Sequence, residues 1–263
     1  MRFAVGGRDA YAYTGARALD PARPTVVFVH GAGNDHSVWA LQSRYFAHHG
    51  HNVLAVDLPA HGRTAGPVQP TVEAIAAWLG DVLDALGVAR CALVGHSLGA
   101  LSALALAASR PSHVHRLALL GPAAPMTVSD ALLDAALHDE PLAAALITGW
   151  SHAPAHQLGG NRAPGMWMTG QARQLLARTP PGVLHADLLA CHRYADVTSA
   201  ASAVRCPVLL VLGARDVMAP PRQAAPLQAA LPAAQTVTLP ATGHAMMAEA
   251  PDDVLDALRA FLS

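Results

Sequence analysis

Three short runs along the chain are apolar at almost every position: residues 25–29 (Thr-Val-Val-Phe-Val), 52–56 (Asn-Val-Leu-Ala-Val) and 91–94 (Cys-Ala-Leu-Val). Each is bounded by turn residues and rich in β-branched types, the pattern of strands covered on both faces. Between them, residues 38–49 and 71–86 are long enough for crossover helices, with Thr71 placed to cap the second and Gly87 to stop it. Residues 3–5 and 11–14 alternate around Gly6-Gly7-Arg8-Asp9 and read as a hairpin at a sheet edge. Apolar runs return at 117–120, 207–212 and 236–239. The last helix spans 251–262, with Pro251 at its start and Val254, Leu255, Leu258, Phe261 and Leu262 on one face. Alternating buried strands and helices predict a mostly parallel, twisted sheet flanked by helices.

The alternation lapses between 117–120 and 207–212, a stretch too long for a structureless loop inside a compact domain. It contains apolar helical patches at 131–137 and 141–147, punctuated by Pro and Gly. We therefore divide the chain into a core, 1–122 and 206–263, and a helical cap insertion, 123–205.

Composition narrows the function classes. Of 263 residues, 52% are hydrophobic and 13% charged, so the chain buries a sizeable core and is not disordered. Its 17 basic residues are all arginine and nearly balance 18 acidic ones, which favours neither nucleic acid nor an anionic membrane as partner. The three cysteines, Cys91, Cys191 and Cys206, imply no disulfide framework. The first residues break into glycines before any signal-peptide stretch forms, and the apolar run 98–108 is too short to span a bilayer. A soluble cytoplasmic protein, monomeric or homodimeric, is expected.

The chemistry lies at strand ends. Gly95-His96-Ser97-Leu98-Gly99 follows a strand and opens an apolar helix, the context of a nucleophile elbow. A sharp strand-to-helix turn brings its flanking residues too close for a β-carbon, which accounts for both glycines. Ser97 needs a base, and fifteen histidines compete. His48, His49 and His51 flank a remote turn, His113 and His115 lie a helix length away, and His96 should point elsewhere. His244 directly follows the last strand and is assigned as the base. Asp216 ends the preceding strand and is assigned as its orienting acid, whereas Asp57 reads as a structural residue tying down its own loop. His30-Gly31-Ala32-Gly33 lacks the third glycine of a dinucleotide loop and reads as half of an oxyanion hole. Its donors would be the N–H groups of Ala32 and Leu98.

The elbow, the His30–Gly33 loop followed by Trp39, the Asp57-Leu58-Pro59 segment, the turn to Asp216 and Gly243-His244 together resemble the α/β-hydrolase-fold serine hydrolases. The order Ser97, Asp216, His244 is also theirs. The resemblance implies an esterase- or lactonase-like enzyme that needs no metal or organic cofactor, acting on a small to medium, largely apolar ester, thioester or lactone. Ser97 excludes members of the fold with Asp or Cys as nucleophile. Two alternatives stay open: a C–C bond hydrolase of a vinylogous diketone, and a non-catalytic ligand receptor. Trp39, Trp150, Met166, Trp167 and Met246 are expected to line the substrate pocket, with His152, His156 and Met168 nearby. Arg162 is expected on the surface.

Overall fold

The computed structural model describes residues 1–159 and 167–262. Eight strands form one sheet in the order β1-β2-β4-β3-β5-β6-β7-β8. The strands are β1 (Arg2–Val5), β2 (Arg8–Tyr13), β3 (Thr25–Val29), β4 (Asn52–Val56), β5 (Cys91–His96), β6 (Val114–Leu120), β7 (Val208–Gly213) and β8 (Gln235–Leu239). The hairpin β1–β2 is antiparallel and closes through Gly6 and Gly7, both at positive φ, as a two-residue loop of matching twist requires. β2 meets β4 antiparallel, and every later pairing is parallel.

The helices are α1 (Ala40–His48), α2 (Val72–Ala85), α3 (Leu98–Ser109), α4 (Asp130–His138), α5 (Glu140–Ser151), α6 (Pro154–Gln157), α7 (Met168–Leu176), α8 (Val183–Arg193), α9 (Val197–Ala203), α10 (Ala225–Ala230), α11 (Met246–Glu249) and α12 (Pro251–Leu262). The expected helix at 38–49 starts instead as a 3₁₀ turn, His36–Trp39, because Asp35 accepts from Ser37 N and caps a tighter first turn. Thr71 does cap α2, accepting from Ala74 N at 3.2 Å.

Alternate strand residues feed two apolar layers. In β3, Val27 and Val29 pack with α2, α3 and α9, whereas Val26 and Phe28 pack with Phe46 of α1 and Val254 and Leu258 of α12. Burial on both faces explains why the central strands read as continuous apolar runs. Edge strand β8 alternates instead, only Leu239 being fully buried.

Between β6 and β7, helices α4, α5, α7 and α8 share a third cluster built on Leu132, Ala135, Ala143, Leu176, Leu184 and Leu188. Ala32 packs against it from the loop after β3. The end of α8 and α9 join the first core layer instead, through Cys191, Tyr194, Val197 and Ala201. Among the described residues no helix is long and apolar enough to cross a membrane.

Candidate active site

Ser97 sits between β5 and α3 at φ +55° and ψ −118°, a conformation that L side chains rarely adopt. The turn is so tight that a β-carbon on Gly95 would lie 2.1 Å from the carbonyl oxygen of Gly99, and one on Gly99 would lie 2.4 Å from that of Val29. The strain therefore falls on Ser97, whose side chain faces a cavity above the strand ends. Among the described residues its hydroxyl contacts the sulfur of Met126 at 4.0 Å.

Two further strand ends converge there. The turns after β7 and β8 press together, since a β-carbon on Gly213 would come within 2.3 Å of the Gly243 carbonyl oxygen. This brings Asp216 and His244 side by side, with His244 Nδ1 donating to Asp216 Oδ2 at 2.7 Å. The other oxygen, Oδ1, accepts from Met218 N at 2.9 Å and Ala219 N at 2.8 Å. Burial pushes the Asp216 carboxyl up, but His244 and these two N–H groups outweigh it and hold its pKa below the ordinary value. Burial pushes His244 down, and the Asp216 carboxylate overcomes it to leave the imidazole above its ordinary value, with Glu249 adding to the rise.

His96, set aside on sequence, supports the same turn. Its Nε2 donates to the His244 carbonyl at 2.9 Å, its ring centroid lies 4.7 Å from that of His244, and its buried Nδ1 has no partner. Burial lowers its pKa to about 3, so it is a neutral donor. A histidine directly before the nucleophile was the available signal, but its target is 148 residues away in the chain.

The loop after β3 rests on the serine turn. A β-carbon on Gly31 would approach His96 Nδ1 at 3.0 Å and Ser97 Cβ at 3.2 Å. Neither Ala32 N–H nor Leu98 N–H donates a hydrogen bond among the described residues; Ala32 lines the cavity, whereas the Leu98 residue is buried at the start of α3. The loop is held from behind. His30 Nε2 accepts from Leu58 N, and its Nδ1 donates to Gly31 O. Burial lowers the His30 pKa to about 4, consistent with that neutral tautomer. Gly33 N donates to Asp187 Oδ2 at 2.9 Å, and the same oxygen takes His61 Nε2 at 2.8 Å. His61 Nδ1 faces the Pro59 carbonyl at 3.0 Å, so both ring nitrogens meet acceptors, an arrangement that favours the protonated ring. Burial opposes that charge, but the Asp187 carboxylate overcomes it and raises the His61 pKa.

Asp57 also lies at a strand end, yet Oδ1 accepts from His36 N and Nδ1 and Oδ2 accepts from Arg63 N. With Asp35 and His36 it forms the cluster of potential metal-ligating atoms among the described residues. Those hydrogen bonds already use both Asp57 oxygens, so the trio acts as a loop latch.

The cavity measures about 1270 Å³ and is lined by Ser97, His244 and Ala32 together with Trp150, Trp167, Met126, Ile147 and Met247. Among the described residues no acidic side chain lines it, and the charged ones that do are Arg178 and Arg222. Two expected pocket residues are elsewhere. Trp39 is fully buried on the opposite side of its turn, 5.2 Å from the Phe28 ring, and Met246 is fully buried in the α12 layer, where a one-residue offset leaves Met247 facing the cavity. Met166 and Arg162 lie outside the described residues. Met126, Val217 and Met218 were not expected in the lining, although they follow β6 and β7 and the strand-end rule applies to them equally.

A mostly parallel sheet with a strained serine between strand and helix, and an Asp–His pair at the neighbouring strand ends, defines a class: the hydrolases of the α/β fold. The sequence matches the alpha/beta hydrolase family over residues 26–257, and the chain belongs to that family and is a hydrolase. It is 31% identical to a putative carbamate hydrolase, RutD, of Klebsiella pneumoniae over 235 residues, 86% of each chain. It is 33% identical to a pimeloyl-[acyl-carrier protein] methyl ester esterase of Aromatoleum aromaticum over 247 residues, 88% of this chain and 95% of the relative. Among solved structures, the enol-lactonase from Burkholderia xenovorans superposes with a TM-score of 0.88 at 25% identity, covering 100% of this chain and 99% of that one.

Proposed function

We propose that the chain is a serine hydrolase that cleaves a small to medium, largely apolar ester, thioester or lactone through an acyl-enzyme on Ser97. The observation that carries this reading is the His244–Asp216 hydrogen bond of 2.7 Å beside a cavity that Ser97 also lines. With Nδ1–H committed to Asp216, His244 presents Nε2 as the base that takes the Ser97 proton while the oxygen attacks the carbonyl carbon. The oxyanion is received by the N–H groups of Ala32 and Leu98, each worth about 10²- to 10³-fold in rate. Collapse of the tetrahedral adduct expels the alcohol, thiol or ring oxygen, which takes its proton from His244. Water then attacks the acyl group by the reverse sequence and frees Ser97. Helices α4, α5, α7 and α8 act as a cap that encloses the substrate and limits water. Apolar lining favours an apolar acyl or alcohol group, and a volume above the roughly 300–1,000 Å³ of ordinary ligand pockets admits one of medium size.

The test is a panel of nitrophenyl esters, lactones and vinylogous diketo acids, assayed on the wild type and on Ser97→Ala. The expected result is turnover of esters or lactones, lower by several orders of magnitude in the variant, with a mass increment on Ser97 after a fluorophosphonate. Diketo-acid cleavage without ester turnover would favour C–C hydrolysis. Absence of both turnover and labelling in the folded protein would favour a ligand receptor.

A further inference from the structure

The carboxylate of Glu249, at the end of α11, is 1% exposed, and its hydrogen bonds go to the backbone and to His156 and not to the His244 ring. Oε1 accepts from Gly243 N at 3.0 Å, one residue before His244. Oε2 accepts from Ala153 N at 2.9 Å and from His156 Nδ1 at 2.6 Å, both at the junction of α5 and α6 between β6 and β7. The same junction binds the turn a second time, through Ala245 N to Ser151 O at 2.8 Å. Contact is so close that a β-carbon on Gly243 would lie 2.8 Å from both Ala153 N and Ser151 O, with Glu249 Oε1 at 2.9 Å. The His244 turn is thus gripped by Asp216 on one side, by His96 behind, and by Glu249 with the α5–α6 junction on the other.

We propose that Glu249 is a positioning residue that fastens the α5–α6 junction to the His244 turn, making this part of the insertion a fixed wall of the base rather than a separate lid. A buried carboxylate facing three N–H groups has no equivalent in a neutral side chain. Glutamine offers one acceptor end and one donor end, so whichever way it turns, either Gly243 or the Ala153–His156 pair meets a donor instead of an acceptor. The inference rests on the reading of His244 as the base.

The groups facing the His244 imidazole among the described residues are Asp216 from the β7 turn, His96 from β5 and Glu249 from α11. Facing Glu249 itself is His156, with His152 beside it on the junction. Removing the negative charge of Glu249 makes the imidazolium less favourable, so the midpoint of His244 titration moves to lower pH.

The experiment uses Glu249→Gln and His156→Ala in the full chain, with a short-chain nitrophenyl ester as probe and ¹⁵N NMR of the histidine rings. Glu249→Gln should lower kcat by about 10- to 100-fold with a smaller change in KM, as a displaced base does. Its acid limb and the NMR midpoint of His244 should both move down in pH. His156→Ala should lower kcat less, and the double variant should be no worse than Glu249→Gln alone, because both cut the same tie. A folded Glu249→Gln with unchanged kcat, acid limb and NMR midpoint overturns the proposal. So does a double variant whose losses add, and where Glu249→Gln does not fold, an unchanged kcat in His156→Ala overturns it. Turnover that survives Ser97→Ala sinks the hydrolase reading instead, and the NMR midpoint still decides the tie.

Discussion

Comparing Ser97→Gly with Ser97→Ala separates backbone strain from chemistry, because both lack the hydroxyl and differ only in a β-carbon. Ser97 holds φ +55° and ψ −118°, and a side chain kept in such a sparsely populated region costs about 1–3 kcal/mol. Glycine removes that cost. Its extra freedom in the unfolded chain offsets about 0.4–1 kcal/mol of the gain. The loss of one partly exposed methyl offsets less than about 0.8 kcal/mol more. The glycine variant should therefore be the more stable by roughly 1 kcal/mol, the reverse of the loss of similar size that glycine brings inside an ordinary helix or strand. In a chain of 263 residues this corresponds to about 2 °C in Tm. Guanidinium unfolding of the two variants in parallel, followed by tryptophan fluorescence, measures it. A glycine variant no more stable than the alanine variant would refute the claim that the elbow stores strain at the nucleophile.

Asp216→Asn should leave the fold intact yet lower kcat by about 10⁴-fold, because the amide turns the imidazole to the wrong tautomer; the acid limb of the residual rate should also shift to lower pH, since Asp216 is what holds the His244 pKa up. Stability should fall as pH drops from 5.5 toward 4. Over that window the unfolded chain holds protons on His30 and His96 that the folded chain, with values of about 4 and about 3, does not bind, whereas His61 and His244, raised above the ordinary 6.5, are protonated in both states and their opposing contribution is confined to higher pH. Denaturant midpoints that stay level or rise between pH 5.5 and 4.5 would contradict it. Because Arg178 and Arg222 line a cavity that has no acidic side chain among the described residues, a choline ester should show about 10-fold lower kcat/KM than its uncharged carbon isostere, and equal values would remove any role for the cavity's charge.

Much of the framework was legible because β3, β4, β5 and β7 are buried at every position and so carry unbroken apolar runs. The rule that chemistry gathers at the carboxyl ends of parallel strands picked out Asp216 and His244 from distant parts of the chain, and they lie 2.7 Å apart. Short turns defeated the same reasoning. Trp39 and Met246 sit beside the cavity in sequence but turn into the core, since a single residue of phase on a 3₁₀ turn or a four-residue helix decides which way a side chain faces. The polar ties left no local trace at all: His61 meets Asp187 across 126 residues, and Glu249 meets Ala153 across 96.

The bond from Asp187 to Gly33 and His61 has a consequence for anyone who would recombine this scaffold. A transplanted segment that lacks the acid would leave the buried Gly33 N–H and His61 Nε2 without their acceptor beneath the loop after β3, a loss of about 1–3 kcal/mol for each group. Chimaeras should therefore exchange α4 to α7 and retain α8 with its aspartate, treating that helix as belonging to the recipient.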